Sequence, residues 1–335
     1  MRVSAQQHKQ VQLLLDGAEN QALTVQSVST LASLWAGYGR ALQVTAVDED
    51  GAQRHFVVKD IKPPAGSGVS HQRKVRSYQV EGSFYEEVAP MLLARPGAPA
   101  VAAPLVVQRV EASGNVALVL GDLRGRFPES AGALDLPRAK AALAWLAALH
   151  AAYWQKDVPA SLWEEGSYYH LKTRLDELQN IDAEWADVRD AAHAIDGLLC
   201  ASPFRTLLHG DAKAANFLFS EKAAGGGVIA AAYDFQYTGG GDGMRDVAYL
   251  LCSSVQRAVL DRCEAELLSH YHAELVVQLD PPAAEQYTLE VALQRFELAL
   301  LDYVRWMAGW GFWGSAGWAQ RKARKTLATL RLPVV

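Results

Sequence analysis

One short β-prone patch interrupts a long helical stretch of the chain, and it limits the possible folds more than any other segment. It begins HGDAKAANFLF, His209–Phe219, and continues through Gly225–Gly227 into VIAAAYDFQ. Before it, LPRAKAALAWLAALHAAYW is apolar on most faces and reads as a buried helix starting near Pro137. Residues 161–200 also read as helical, and from Asp246 onward the chain is again mostly helical. Two apolar runs flanking glycines predict a hairpin. Such a hairpin would carry Asp211 and Asn216 on its first side and Asp234 on its second.

Those three side chains meet the recurring needs of phosphoryl transfer. One Asp must orient the attacking hydroxyl and take its proton. An Asn and a second Asp supply the hard oxygen ligands that magnesium prefers. The five-residue offset lets one loop aim Asp211 at an acceptor and Asn216 at a metal. Each residue also has a plainer use: Asp211 as a loop cap and Asp234 as a turn residue at a strand end. His209 reads as a hydrogen-bonding part of the loop rather than an acid or base.

The N-terminal part has a different texture. Residues 1–30 read as a helix followed by a short polar segment. Alternation at Leu42, Val44 and Ala46, the turn DEDG and the β-branched run His55–Ile61 predict two strands. KPPAGSGVS is a loop. RKVRSYQVEGSFYEEVAPMLLA has helical content, weakened at Gly82. APAVAAPLVVQRVE and NVALVLGDL predict two more strands joined at Ser113-Gly114. The fold class is α+β: a β-rich part over residues 1–121 and a helical part over 122–335.

The pattern HGDxxxxN followed by a strand ending in DF resembles the aminoglycoside phosphotransferase and choline kinase-like family, small-molecule relatives of the protein kinases. LAALHAAYW, HGDAKAANFLF and DYVRWMAGWGFWG resemble its ecdysteroid kinase-like branch most closely. The metal triplet reads DFQ rather than DFG. The resemblance runs over roughly residues 30–320 and implies a protein-kinase-like two-lobed fold with the site in its cleft. It implies ATP and Mg2+ as cofactors and Asp211 as the catalytic residue, with Asn216 and Asp234 on the metal. Lys59 of FVVKDI would meet the α- and β-phosphates, with Lys62 a rival beside Pro63-Pro64. Glu81 would hold that lysine, with Glu86 and Glu87 close behind. Gly37 and Gly39 of WAGYGR would lie in the loop over the phosphates, although WAGYGR is not GxGxxG. ALVLGDL, around Leu120–Leu123, would be the hinge that meets adenine. Asp246 would brace the catalytic loop, a role compatible with capping the helix that follows.

The implied reaction is transfer of the γ-phosphate of ATP to a hydroxyl of a small acceptor: an amino alcohol, an aminoglycoside-like molecule, a steroid or another alcohol. A nucleotide-binding protein without transferase activity is the alternative. A protein kinase fits less well, because the chain lacks HRD, an APE-like segment and an evident activation loop between Asp234 and Asp246. Trp306, Trp310 and Trp313 share one face at helical spacing. They serve either a core or an acceptor pocket, and Gly309, Gly311 and Gly314 favour a broken helix there. Asp302 and Arg305 would pair at i, i+3 or touch the substrate.

Composition narrows the partners. The 335-residue chain carries a formal net charge of −5, which gives nucleic acid and anionic membrane no electrostatic hold. Its three cysteines, Cys200, Cys252 and Cys263, show no CxxC spacing and read as reduced thiols. The N-terminus has no secretory pattern, and no apolar run approaches the ~18 residues of a membrane span. A cytoplasmic enzyme is the expectation.

Overall fold

The structure, a computed structural model, describes residues 4–18, 22–110, 113–221 and 227–329. The chain forms two compact units, Met1–Arg95 with Val101–Gly125, and Pro96–Ala100 with Arg126–Val335.

The first unit opens with α1 (Ala5–Asp16), started by a capping box. The Ser4 side chain accepts from the Gln7 backbone N–H, and the Gln7 side chain accepts from the Ser4 N–H. β1 (Thr24–Ser33) follows where the sequence suggested only a polar segment. Its TVQSVSTLAS run has four β-branched residues but buries only Val25 and Val28, so it lies at the sheet edge with little apolar signal. β2 (Gly39–Val47), β3 (Gln53–Ile61), β4 (Pro104–Val110) and β5 (Asn115–Gly121) complete an antiparallel sheet in the order β1-β2-β3-β5-β4. Between β3 and β4 lie α2 (Val69–Ser83), a π-helical turn at Phe84–Val88 and the short α3 (Ala89–Leu93). Gly82 does not break α2; a Cβ there would fall 2.7 Å from Arg109 Cδ, which crosses the helix at that point. On one sheet face, Val44, Phe56, Val58 and Val119 pack with Val11 and Leu15 of α1. Because strand side chains alternate, Lys59 projects from the other face, where α2 lies.

The second unit is helical around two short antiparallel strand pairs. α4 (Leu136–Ala152) is capped by Asp135, whose carboxylate accepts from Arg138 N–H, and Pro137 stands in its first turn. Residues 161–200 are less helical than their composition suggests. They hold an irregular stretch, α5 (Leu175–Gln179) and α6 (Ala186–Cys200). β6 (Arg205–Leu208) pairs with β9 (Gly239–Asp242), and β7 (Phe217–Phe219) with β8 (Ala230–Ala232). Of the expected glycine turn, Gly225 and Gly226 lie outside the described residues. Then come α7 (Met244–Ser254), α8 (Arg257–Val276), α9 (Pro281–Gln286), α10 (Leu289–Trp310) and α11 (Ala316–Thr329). Among the described residues no helix is long and apolar enough to cross a membrane.

Candidate active site

The loop that leaves β6 is fixed by its own glycine. Gly210 has φ +80°, and a Cβ on it would stand 1.9 Å from the Tyr237 carbonyl oxygen. Only glycine combines that left-handed backbone with so close an approach. We expect Gly210→Ala to cost about 3 kcal/mol or more, from backbone strain plus overlap with rigid backbone. Urea unfolding checks this; wild-type stability in the variant would show that the loop relaxes freely.

His209 is fully buried and joins this loop to the next strand. Its Nδ1 accepts from the Asp211 backbone N–H at 3.3 Å, so its Nε2 donates to the Tyr233 carbonyl at 3.1 Å. Burial pushes its pKa below the usual histidine value and outweighs the pull of Asp246 and Asp211. The ring is therefore a neutral structural link. The unfolded chain binds this proton more readily than the native one. Stability contributed by the neutral ring is full above the unfolded value of about 6.5 and declines as pH falls below it. Unfolding of wild type and His209→Gln at pH 7.5 and 5.5 should show a smaller acid loss in the variant.

Asp211 is only 4% exposed. Its Oδ2 accepts from Lys213 Nζ at 2.7 Å and from Asn216 Nδ2 at 3.0 Å, and its Oδ1 accepts from the Tyr249 hydroxyl at 2.9 Å. Asn216 Nδ2 also donates to the Asp211 carbonyl at 2.8 Å. With its amide nitrogen turned to Asp211, Asn216 leaves its Oδ1 as the outward acceptor. The Tyr233 N–H donates to the Asn216 carbonyl at 3.1 Å, extending the β7–β8 ladder and bringing Asp234 next to Asn216 along the hairpin. Asp234 holds φ +69°, uncommon for a residue with a side chain, and its Oδ1 accepts from Gln236 Nε2 at 2.6 Å. An amide oxygen and a carboxylate carried at adjoining ends of paired strands are donors of the kind that suits a hard divalent cation.

In the first unit, Lys59 Nζ and Glu81 Oε1 form an ion pair at 2.5 Å, with Glu81 fully buried and Lys59 9% exposed. Removing one partner of such a pair is far costlier than the pair is worth. Glu86 instead pairs with Arg109, and Lys62, half-exposed, pairs with Asp60. WAGYG forms the β1–β2 turn. Gly37 has φ +76° there, and Gly39 is required because a Cβ would meet the Asp60 carbonyl oxygen at 2.2 Å. Leu120 is buried in β5, and Leu123 begins a short 3₁₀ turn, Leu123–Gly125.

Two residues near Asp211 were not singled out from the sequence: Lys213 and Tyr249. Lys213 stands two places after Asp211 and is one-third exposed. Burial pushes its ammonium down, but the neighbouring Asp211 carboxylate more than compensates and raises it. Tyr249 lies in GDGMRDVAYLLCSS, where the polar residues among apolar ones were the available signal. Asp246 takes the loop-bracing role. Its Oδ2 accepts from His209 N–H at 2.7 Å and its Oδ1 from Gly210 N–H at 2.9 Å. The N-cap position of α7 belongs to Gly243, so Asp246 caps a loop and not the helix. Ser254, two turns on, accepts from Ala214 N–H at 2.7 Å. Helix α7 thus grips the loop at both ends.

The aromatic tail divides. Trp306 is buried and stacks on Tyr169 with centroids 5.4 Å apart, whereas Trp310 and Trp313 are 52% and 39% exposed. Helix α10 runs unbroken through Gly309, which is there because a Cβ would fall 1.8 Å from the Glu177 carbonyl oxygen; the helix ends at Gly311, φ +120°. Trp313 therefore lies beyond the helix and does not share its face. Asp302 and Arg305 pair with each other at 2.8 Å, fully buried, and Arg305 donates to the Tyr169 carbonyl at 2.7 Å. Arg245 joins them, 2.9 Å from Asp196 and 3.7 Å from Asp302. These charges hold the segment before the loop to α6, α7 and α10.

Residues 163–281 match the model of the Ecdysteroid kinase-like family. Among solved structures, the chain is similar to a microcompartment-associated aminopropanol kinase at 17% identity and TM-score 0.51, covering 96% of this chain and 95% of that one. It is similar to the choline kinase LicA from Streptococcus pneumoniae at 18% identity and TM-score 0.50, covering 92% and 95%. It also resembles a choline kinase from Cryptosporidium parvum Iowa II at 12% identity and TM-score 0.52, covering 90% and 88%. No curated protein matches the chain. The mixed fold, with an antiparallel sheet in the N-terminal part and helices in the C-terminal part, is shared with these structures, and the family match falls on the branch that the sequence motifs resemble.

Proposed function

We propose that the chain is a cytoplasmic, ATP-dependent small-molecule kinase that phosphorylates a hydroxyl. The observation that carries this reading is the Asp211 carboxylate. It is buried, oriented by three donors, and set beside Asn216, whose hairpin partner strand leads into Asp234. In the reaction the acceptor oxygen bonds to the γ-phosphorus, the bond from that phosphorus to the bridging oxygen breaks, and ADP leaves. Asp211 orients the hydroxyl and takes its proton. Lys59, held by Glu81, takes the α- and β-phosphates, with Gly37, Gly39, Leu120 and Leu123 on the nucleotide. Asn216 and Asp234 would hold Mg2+, which when bound neutralises phosphate charge. The protein's own share is positioning and charge placement.

The Arg174 guanidinium already lies over the Tyr168 ring at 4.1 Å and near the Trp310 ring at 5.4 Å. Those faces hold a cation of the protein itself, which disfavours a quaternary ammonium there. The test is a mass-spectrometric screen of hydroxylated small molecules with Mg-ATP. A product heavier by one phosphate, lost in Asp211→Asn, supports the reading. Tight Mg-ATP binding with no product from any acceptor would favour a nucleotide-binding protein without transfer, and no ATP binding would sink the kinase reading.

A further inference from the structure

We infer that Tyr249 is a positioning residue that sets the orientation of the Asp211 carboxylate; this rests on the proposed phosphoryl-transfer reading. Three donors reach that carboxylate among the described hydrogen bonds. Lys213 and Asn216 both bind Oδ2, and both belong to the same loop as Asp211. Under the proposed function Asn216 would meet the metal through its Oδ1 while its Nδ2 keeps the bond to Asp211. Among the described residues only Tyr249 binds Oδ1, and it comes from α7, the helix that already braces the loop through Asp246 and Ser254. It is the contact that ties the carboxylate to the helical frame instead of to its own loop.

The hydroxyl is aimed by packing. The Tyr249 ring is 1% exposed and is wedged edge-on between Tyr169 at 5.5 Å and Trp306 at 5.9 Å, with Tyr303 at 5.9 Å. A ring held on these sides cannot turn its hydroxyl elsewhere without repacking the core. Phenylalanine would fill the same space, so core packing alone does not account for the hydroxyl. A buried hydroxyl is costly unless bonded, and here its bond is to the reacting carboxylate. With Oδ1 fixed by Tyr249, Oδ2 is the oxygen turned to the one-third-exposed Lys213 side. Trp313, 6.4 Å from the Tyr249 ring and partly exposed, continues this wall outward.

The experiment compares wild type, Tyr249→Phe, Asp211→Ala and the double variant, using the acceptor found in the screen. We expect Tyr249→Phe to lower kcat about tenfold while KM for Mg-ATP stays within about twofold, the pattern of lost orientation with binding retained. In the Asp211→Ala background the same substitution should change nothing further, because the group it orients is gone. A crystal structure of Tyr249→Phe should show the Asp211 carboxylate turned from its wild-type orientation. An equal loss in both backgrounds, or an unchanged kcat, would overturn the inference. If wild type phosphorylates no acceptor, or Asp211→Ala activity falls below detection, the crystal structure decides: a turned carboxylate supports the role of Tyr249, an unmoved one ends it. Failure of the kinase reading is thereby separated from failure of this one.

Discussion

Asp211→Asn should leave a folded, Mg-ATP-binding protein that transfers phosphate about 10² to 10⁴ times more slowly than wild type. The substitution keeps the side-chain shape: with its amide oxygen toward Asn216 Nδ2, its NH2 can donate to the Tyr249 hydroxyl oxygen. It removes the negative charge that Lys213 Nζ meets at 2.7 Å and the oxygen that would take the acceptor proton. Since little covalent chemistry falls to the protein in phosphoryl transfer, losing the group that orients the nucleophile should appear almost wholly in kcat. Product formation by mass spectrometry gives the rate, and the shift in unfolding temperature on adding Mg-ATP gives binding. A variant that binds Mg-ATP and turns over at the wild-type rate would remove Asp211 from the chemistry.

The loop could be read from the sequence because its residues are chemically unusual together. His-Gly-Asp, an Asn five places on and a later Asp-Phe leave few alternatives, and glycine at 210 is demanded by a positive φ and a backbone approach of 1.9 Å. Sheet strands β2 to β5 were legible through alternation and turns. β1 was not, since an edge strand that buries two valines carries little apolar pattern. Residues 161–200 misled because helical composition there serves an irregular segment pinned by tertiary bonds: Arg305 to the Tyr169 carbonyl, and Tyr169 hydroxyl to the Arg245 carbonyl at 2.8 Å. Gly309 looked like a helix break but marks a close helix-to-loop contact. Tyr249 escaped notice because its function depends on a partner 38 residues away, which no local spacing encodes.

Asp246→Asn should be the most destabilising conservative change in the second unit's polar core. The carboxylate is 1% exposed and accepts two backbone N–H groups, from His209 and Gly210, and also the His150 Nε2–H at 3.3 Å. Because the carboxylate can only accept, His150 donates to it through Nε2, and its Nδ1 lies 2.8 Å from the Tyr271 hydroxyl. An amide cannot serve this arrangement. Whichever way it is turned, its NH2 faces a donor, leaving buried N–H groups opposed instead of paired. Each hydrogen bond to a buried charge is worth roughly 1.5–3 kcal/mol, so the variant should lose about 3 kcal/mol or more in urea unfolding. The loop that carries Asp211 is anchored at these same two N–H groups. A displacement of about 1 Å in a reacting group can cost roughly 10²-fold in rate. We therefore expect kcat to fall about 10²-fold at temperatures where the variant is still folded. Wild-type stability together with a wild-type rate would show that α7 does not hold the loop in place.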